Sequence, residues 1–272
     1  MHIMQMLGIV TLLYFVTLAL IALNRDKINV KIGNIIFVIV DIILYVVWMY
    51  SCARGEGISL FTLIGNISPL TCVIVAMTPI FSDKIRDMAY CTIAFLHFGI
   101  FVAMFISPEH AYLFNFRDQA PREYTAEALC HMICSLFGAY LMLTRQVKPC
   151  YESWIKAIKF IYSIITSGVI FNFLMHERLF GMDPYGKYSI YMIDIFGSFE
   201  ATLAAYYLGV LVVLTLGLQV GHLLNKIAPS HHHVKSEETA VERTDGETDE
   251  ASSAETEYVS DEGDNTLNES EA

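Results

Sequence analysis

The sequence predicts an all-α, polytopic bundle of about seven transmembrane spans, with the N-terminus outside and the C-terminus in the cytoplasm. Three observations lead there. Hydrophobic residues make up 55% of the 272, and the mean hydropathy is +0.49, well above the usual soluble composition. Apolar runs of about 20 residues recur, each long enough to cross a hydrocarbon core of about 30 Å. Basic residues alternate between the joints. With seven spans, joints one, three and five plus the tail hold twelve Lys and Arg, against five on the other side (Arg54, Arg117, Arg122, Arg178 and Lys187), a positive-inside bias.

The first run, Ile3 to Leu23, has no Lys or Arg before it and no small-residue cleavage site after it, so it reads as an uncleaved span rather than a secretory signal. The second, Ile35 to Ala53, contains Asp41 and ends in Trp48, Tyr50 and Arg54, an interfacial finish. The third, Ser59 to Phe81, is interrupted by Gly65, Asn66, Ser68 and Pro69, and a proline inside a helix removes a donor and kinks it. The fourth, Met88 to Ser107, carries His97. A long joint holding Arg117, Asp118, Pro121 and Arg122 leads to the fifth, Tyr124 to Thr144, with Glu127 and His131 at i and i+4 on one helical face. The sixth covers about Ile158 to Met175. A polar Gly/Tyr-rich segment then precedes the seventh, about Phe199 to Leu223.

Charge divides the chain into residues 1–230, the helical bundle, and 231–272, a tail. From Ser236 to Ala272 there are fourteen Asp or Glu against one Arg, a balance of −13, so the tail carries more than the whole net charge of −11 and residues 1–235 are nearly neutral at +2. Such a tail cannot bury a core and is expected to be a disordered, acidic, cytoplasmic segment. Neither part offers a basic face, which excludes nucleic acid as a partner. The six cysteines show no paired spacing and four fall inside apolar runs, so no disulfide framework is expected.

An ionisable group inside a span costs about 2.5–3.5 kcal/mol on insertion scales unless other helices satisfy it, so these groups mark the functional region. Counting at about 1.5 Å per helical residue gathers most of them toward the outer leaflet. Glu127 and His131 lie on span five, Asn66 and Ser68 on span three, Asn172 and His176 close span six, and Asp194 and Glu200 precede or open span seven. A shared polar cavity would account for that level. Cys72, one turn beyond the break in span three, supplies a nucleophile. His131 supplies a base, and Glu127 or Asn172 an orienting group. Asn66, Asn172, His176, Asp194 and Glu200 are the candidate substrate ligands. Asp41, alone in span two, is expected to pair with another span. The stripe Glu127, Cys130, His131 and Cys134 has metal-ligand residue types, but three ligands rarely converge from one straight helix, so neither metal nor cofactor is expected.

Pro69-Leu70-Thr71-Cys72 in a broken third span, His131 in the fifth, Asn172 ending the sixth and Gly181-Met182-Asp183-Pro184-Tyr185 before the last span carry a resemblance. Over roughly Ser59 to Leu224 the chain resembles the YwaF-like integral membrane proteins, whose eukaryotic branch is regarded as an ether-phospholipid acyltransferase. Family members commonly place a histidine beside the cysteine of span three, where this chain has Leu70, Thr71 and Val73. The resemblance implies a lipid- or acyl-group-modifying transferase in the plasma membrane, with membrane lipids as partners. Two alternatives stay open: a carrier in which Glu127, His131, Asp194 and Glu200 bind a small polar solute or cation, and a scaffold that recruits partners through its tail.

Overall fold

The computed structural model describes residues 3–54, 64, 67–106, 122–177, 179–181 and 197–227. Among these there is no strand. Seven helices follow one another: α1 Ile3–Asn24, α2 Val30–Arg54, α3 Ile67–Met77, α4 Asp83–Ile106, α5 Arg122–Leu143, α6 Tyr151–Met175 and α7 Phe199–Ile227, with 3-10 turns at Arg25–Lys27 and Leu179–Gly181. Six are long and apolar enough to cross a membrane, and α3 is a shorter apolar helix. Residues 228–272 lie outside the described residues, and with them the expected disordered tail.

Each long helix lies close to the apolar run that announces it. Where the bounds differ, the helix extends past the run, as α6 does by beginning at Tyr151 rather than Ile158. Its first turns carry Glu152 and Lys156, which pair with each other at 2.8 Å, and Lys156 also reaches Asp87 of α4 at 3.1 Å. A helix needs no apolar residues where it stands in the headgroup region. Ser198 starts α7 by accepting from the Ala201 amide at 3.2 Å, the usual side-chain cap for an orphan N–H.

In the third run Ile64 is helical, residues 65 and 66 lie outside the described residues, and helix α3 covers Ile67–Met77 with Pro69 as the third residue of that stretch. Its 11 residues span about 16 Å, roughly half of a hydrocarbon core. The chain nevertheless returns across the bundle here. Asn34, early in α2, donates to Tyr90 early in α4 at 3.1 Å and to Gln146 just past α5 at 2.8 Å, so α2 and α4 start at the same end. Helix α2 finishes at the other end, about 37 Å away, and the stretch from Arg54 to Asp83 must bring the chain back. That makes seven traverses.

Helix α5 is the most enclosed of the seven, and α1, α2, α4 and α7 pack around it. Large side chains at Phe137, Tyr140, Leu141 and Met142 are fully buried, and Phe137 and Tyr140 stack against Phe37 of α2. Small residues set the closest approaches, as is usual where lipid supplies no hydrophobic force between helices. A Cβ on Gly138 would stand 2.5 Å from the Ile93 carbonyl oxygen and 2.6 Å from His97 Cβ, so only glycine lets α5 press against α4. Gly217 likewise seats α7 on the backbone of Phe95. The outer faces are apolar: Leu12 and Phe15 on α1, and Ile35, Ile39 and Val46 on α2, are about half exposed or more. In water such a surface would drive aggregation; in a bilayer it is the lipid-facing surface. The chain is a multi-pass membrane protein in contact with lipid.

Candidate functional site

Where α2, α3 and α5 cross, two thiols and a carboxylate meet. Asp41 is the twelfth of the 25 residues of α2, hence near the middle of the span, and it is 1% exposed. The Cys134 thiol of α5 donates to Asp41 Oδ1 at 3.3 Å. Cys134 Sγ lies 3.4 Å from Cys72 Sγ of α3. All three donor atoms fall within 4.8 Å of one another. Cys130, one turn before Cys134 on α5, is buried in the same core as Cys72. Asp41 Oδ2 is buried and has no hydrogen-bond partner among the described residues.

Helix geometry explains why these groups meet. Cys130 and Cys134 are four apart on α5, so both face the same neighbour. Helix α2 runs antiparallel to α5, with Phe37 against Phe137 and Tyr140, and one turn further along this brings Asp41 level with Cys134. On α3 Thr71, Cys72 and Val75 are all buried, so Cys72 belongs to the face turned into the bundle. Apart from Lys31 and Arg54 at the two ends of α2 and Arg122 at the start of α5, these three helices carry no Lys or Arg, and no ion pair of Asp41 is formed among the described residues.

The candidates named from sequence are not all brought together. Cys72 lies in the cluster. His131 is buried, and its Nδ1 is bonded at 2.9 Å to the main-chain carbonyl of Glu127, within its own helix. Glu127 is half-buried, two turns from Cys134. Asn172 is 1% exposed and clamps the turn after α6: its Nδ2 donates to the Leu179 carbonyl at 2.9 Å while the Leu179 amide donates to its Oδ1 at 2.8 Å. His176 is exposed and closes α6 in the left-handed conformation (φ 55°), and Glu200 is exposed in the first turn of α7. Asn66 and Asp194 lie outside the described residues.

Asp41 is the site residue that sequence reasoning undervalued. Its signal was present: a lone acid at mid-span carries the same insertion cost as Glu127 and needs a partner on another helix. That partner is Cys134. His97, the other lone intramembrane group, is satisfied within α4 by the Ala94 carbonyl.

Fold and site together define a polytopic helical membrane protein with a buried thiol–carboxylate centre. Compared with known proteins, the chain matches no family model, no curated protein and no solved structure.

Proposed function

We propose that the chain is a membrane-embedded transferase acting on an acyl group of a lipid, with Cys72 as nucleophile and Asp41 as its base. The observation that carries the reading is the buried carboxylate of Asp41, hydrogen-bonded to Cys134 and within 4.8 Å of the Cys72 sulfur, with its second oxygen unpartnered among the described residues. A nucleophile beside a base is the basic unit of covalent catalysis, and Asp41 takes the part that His131 has in the sequence reading. In the first step Asp41 takes the Cys72 proton as the sulfur bonds to the acyl carbonyl carbon; the lipid oxygen leaves and receives that proton. In the second, an acceptor alcohol attacks the thioester, its proton passes to Asp41, and the Cys72 thiolate departs and is reprotonated. Glu127 and His131, nearer the outer end of α5, are assigned to a polar cavity that receives the headgroup, with His176 and Glu200 around its mouth.

The same reading places the chain beside the YwaF-like proteins, in a plasma membrane with its N-terminus outside. Seven traverses support that orientation. The basic residues split twelve to five with seven crossings, but only ten to seven if α3 turned back.

The test is an acyl probe bearing a good leaving group, applied to the full chain in lipid nanodiscs and mapped by peptide mass. A thioester on Cys72, lost in Cys72→Ser and slowed in Asp41→Asn, is the expected result. An adduct distributed over all the cysteines, or unchanged in Cys72→Ser, would sink the reading. Flux through proteoliposomes that depends on pH and ignores Cys72→Ser would instead make the chain a carrier.

A further inference from the structure

We infer that Asp41, Cys72 and Cys134, with Cys130 one turn before Cys134 as a fourth candidate ligand, form a binding site for a thiophilic metal ion of the zinc type. The inference goes beyond the transferase reading and stands without it. The three converging donors, two sulfurs and one carboxylate oxygen, are ligand types of four-coordinate zinc, and Cys130 offers a thiol of the same kind for the fourth position. Soft thiolates select zinc or copper(I) over magnesium, calcium or manganese. The objection that ligands on one straight helix do not converge no longer applies, because the donors come from α2, α3 and α5.

The distances fit. Zinc–sulfur bonds of about 2.3 Å and zinc–oxygen bonds of about 2.0 Å set tetrahedral edges of about 3.8 Å between sulfurs and about 3.5 Å from sulfur to oxygen. The observed separations are 3.4 Å from Cys72 to Cys134 and 3.3 Å from Cys134 to Asp41, a few tenths of an ångström short of those edges. Side-chain rotation alone covers that difference.

A second observation points independently to a ligand. Asp41 Oδ2 is buried, without a hydrogen-bond partner among the described residues, and no basic residue lies on the facing stretches of the three helices. A buried carboxylate in that position needs a proton or a cation. A divalent ion fills the vacant valence of Oδ2 and offsets the charge of the thiolates that lose their protons to solvent on binding.

The experiment uses the full chain, reduced, in lipid nanodiscs, with cobalt(II) as the optical probe and zinc as competitor. One cobalt per chain is expected, with the thiolate-to-cobalt charge-transfer absorption of a tetrahedral sulfur site, displaced by zinc. Cys72→Ser with Cys134→Ser should weaken binding by more than about 100-fold and abolish the band, and Asp41→Asn should weaken it by about 10–100-fold while keeping the band. Cys52→Ser with Cys150→Ser, both outside the cluster, should change neither. Absence of the band in the unmodified chain, or its survival in the Cys72/Cys134 double variant, overturns the inference. Should the double variant fail to fold, the unmodified chain decides: zinc must slow alkylation of Cys72, Cys130 and Cys134 by a membrane-permeant maleimide and leave Cys150 unaffected, and equal rates overturn it. An acyl adduct on Cys72 without a cobalt band sinks this inference alone; a band without an acyl adduct sinks the transferase reading alone.

Discussion

Asn172→Ala separates a structural role from a substrate-binding one at a residue that sequence position assigns to the site. The side chain is 1% exposed and bonds both backbone groups of Leu179, at 2.8 and 2.9 Å. Those bonds tie the end of α6 to the 3-10 turn that carries Phe180, whose ring packs against Gly168 and lies near Tyr206 of α7. Alanine leaves the Leu179 N–H and C=O without this partner. Each buried polar group so stranded costs about 1–3 kcal/mol, which gives roughly 2–6 kcal/mol for the pair. Hydrogen bonds measured inside membrane bundles average nearer 0.6 kcal/mol, which sets a floor of about 1 kcal/mol. Asn172→Asp keeps the acceptor for the Leu179 amide and loses the donor to its carbonyl, so it should fall between wild type and alanine. Thermal unfolding in detergent, followed by size-exclusion chromatography of the fluorescently tagged chain, measures the order wild type, Asp, Ala. An alanine variant as heat-stable as wild type, but with weakened lipid binding, would refute the clamp and return Asn172 to the substrate ligands.

Three further outcomes follow from the same geometry. Gly138→Val should destabilise by about 1–3 kcal/mol or more, because its new carbons meet the Ile93 carbonyl and His97; a variant with an unchanged melting temperature would contradict the close packing of α4 on α5. Asn34→Ala and Gln146→Ala, which break a reciprocal amide pair at 2.8 and 3.2 Å, should be coupled in a double-mutant cycle by about 0.5–3 kcal/mol, and strictly additive losses would show that the pair is not formed. Cys150 caps α6, is exposed, and hydrogen bonds from the Ser153 side chain and then its amide hold its thiol below the ordinary cysteine range. Its thiolate therefore forms at lower pH than that of a free cysteine. Alkylation by a membrane-impermeant maleimide should reach its plateau at correspondingly lower pH, and Ser153→Ala should move that profile back upward; a profile identical to that of free cysteine would remove the effect.

The path of the chain could be read from the residues because its cause is local. A run of some twenty apolar residues must be helical to satisfy its backbone in lipid, whatever surrounds it. So Ile3–Asn24, Val30–Arg54 and Phe199–Ile227 lie within a few residues of their expected positions. Pro69 was legible as a mark in the third run, but a proline disrupts an interior turn and fits a first turn equally well, and spacing does not say which. The ends of α6 and α7 extend beyond their apolar runs for a related reason: headgroup depth is polar, and hydropathy does not mark it.

The site was legible only in part. That Cys72 belongs to it and that Asp41 needs a partner follow from residue type and depth, since an acid at mid-span cannot stay unsatisfied. Which groups meet depends on the rotation of α2, α3 and α5 about their axes, and a rotation of about 100° exchanges Cys130 for His131 as the residue facing a neighbour. Composition and spacing are nearly blind to that angle. Packing sets it, through Gly138 against Ile93 and Phe37 against Phe137. Seven traverses, an acidic tail and a costly set of buried polar groups were therefore determined by the residues themselves. That the thiols gather around Asp41 while His131 bonds its own helix was decided by the tertiary structure, because only contact between helices selects the face that each one presents.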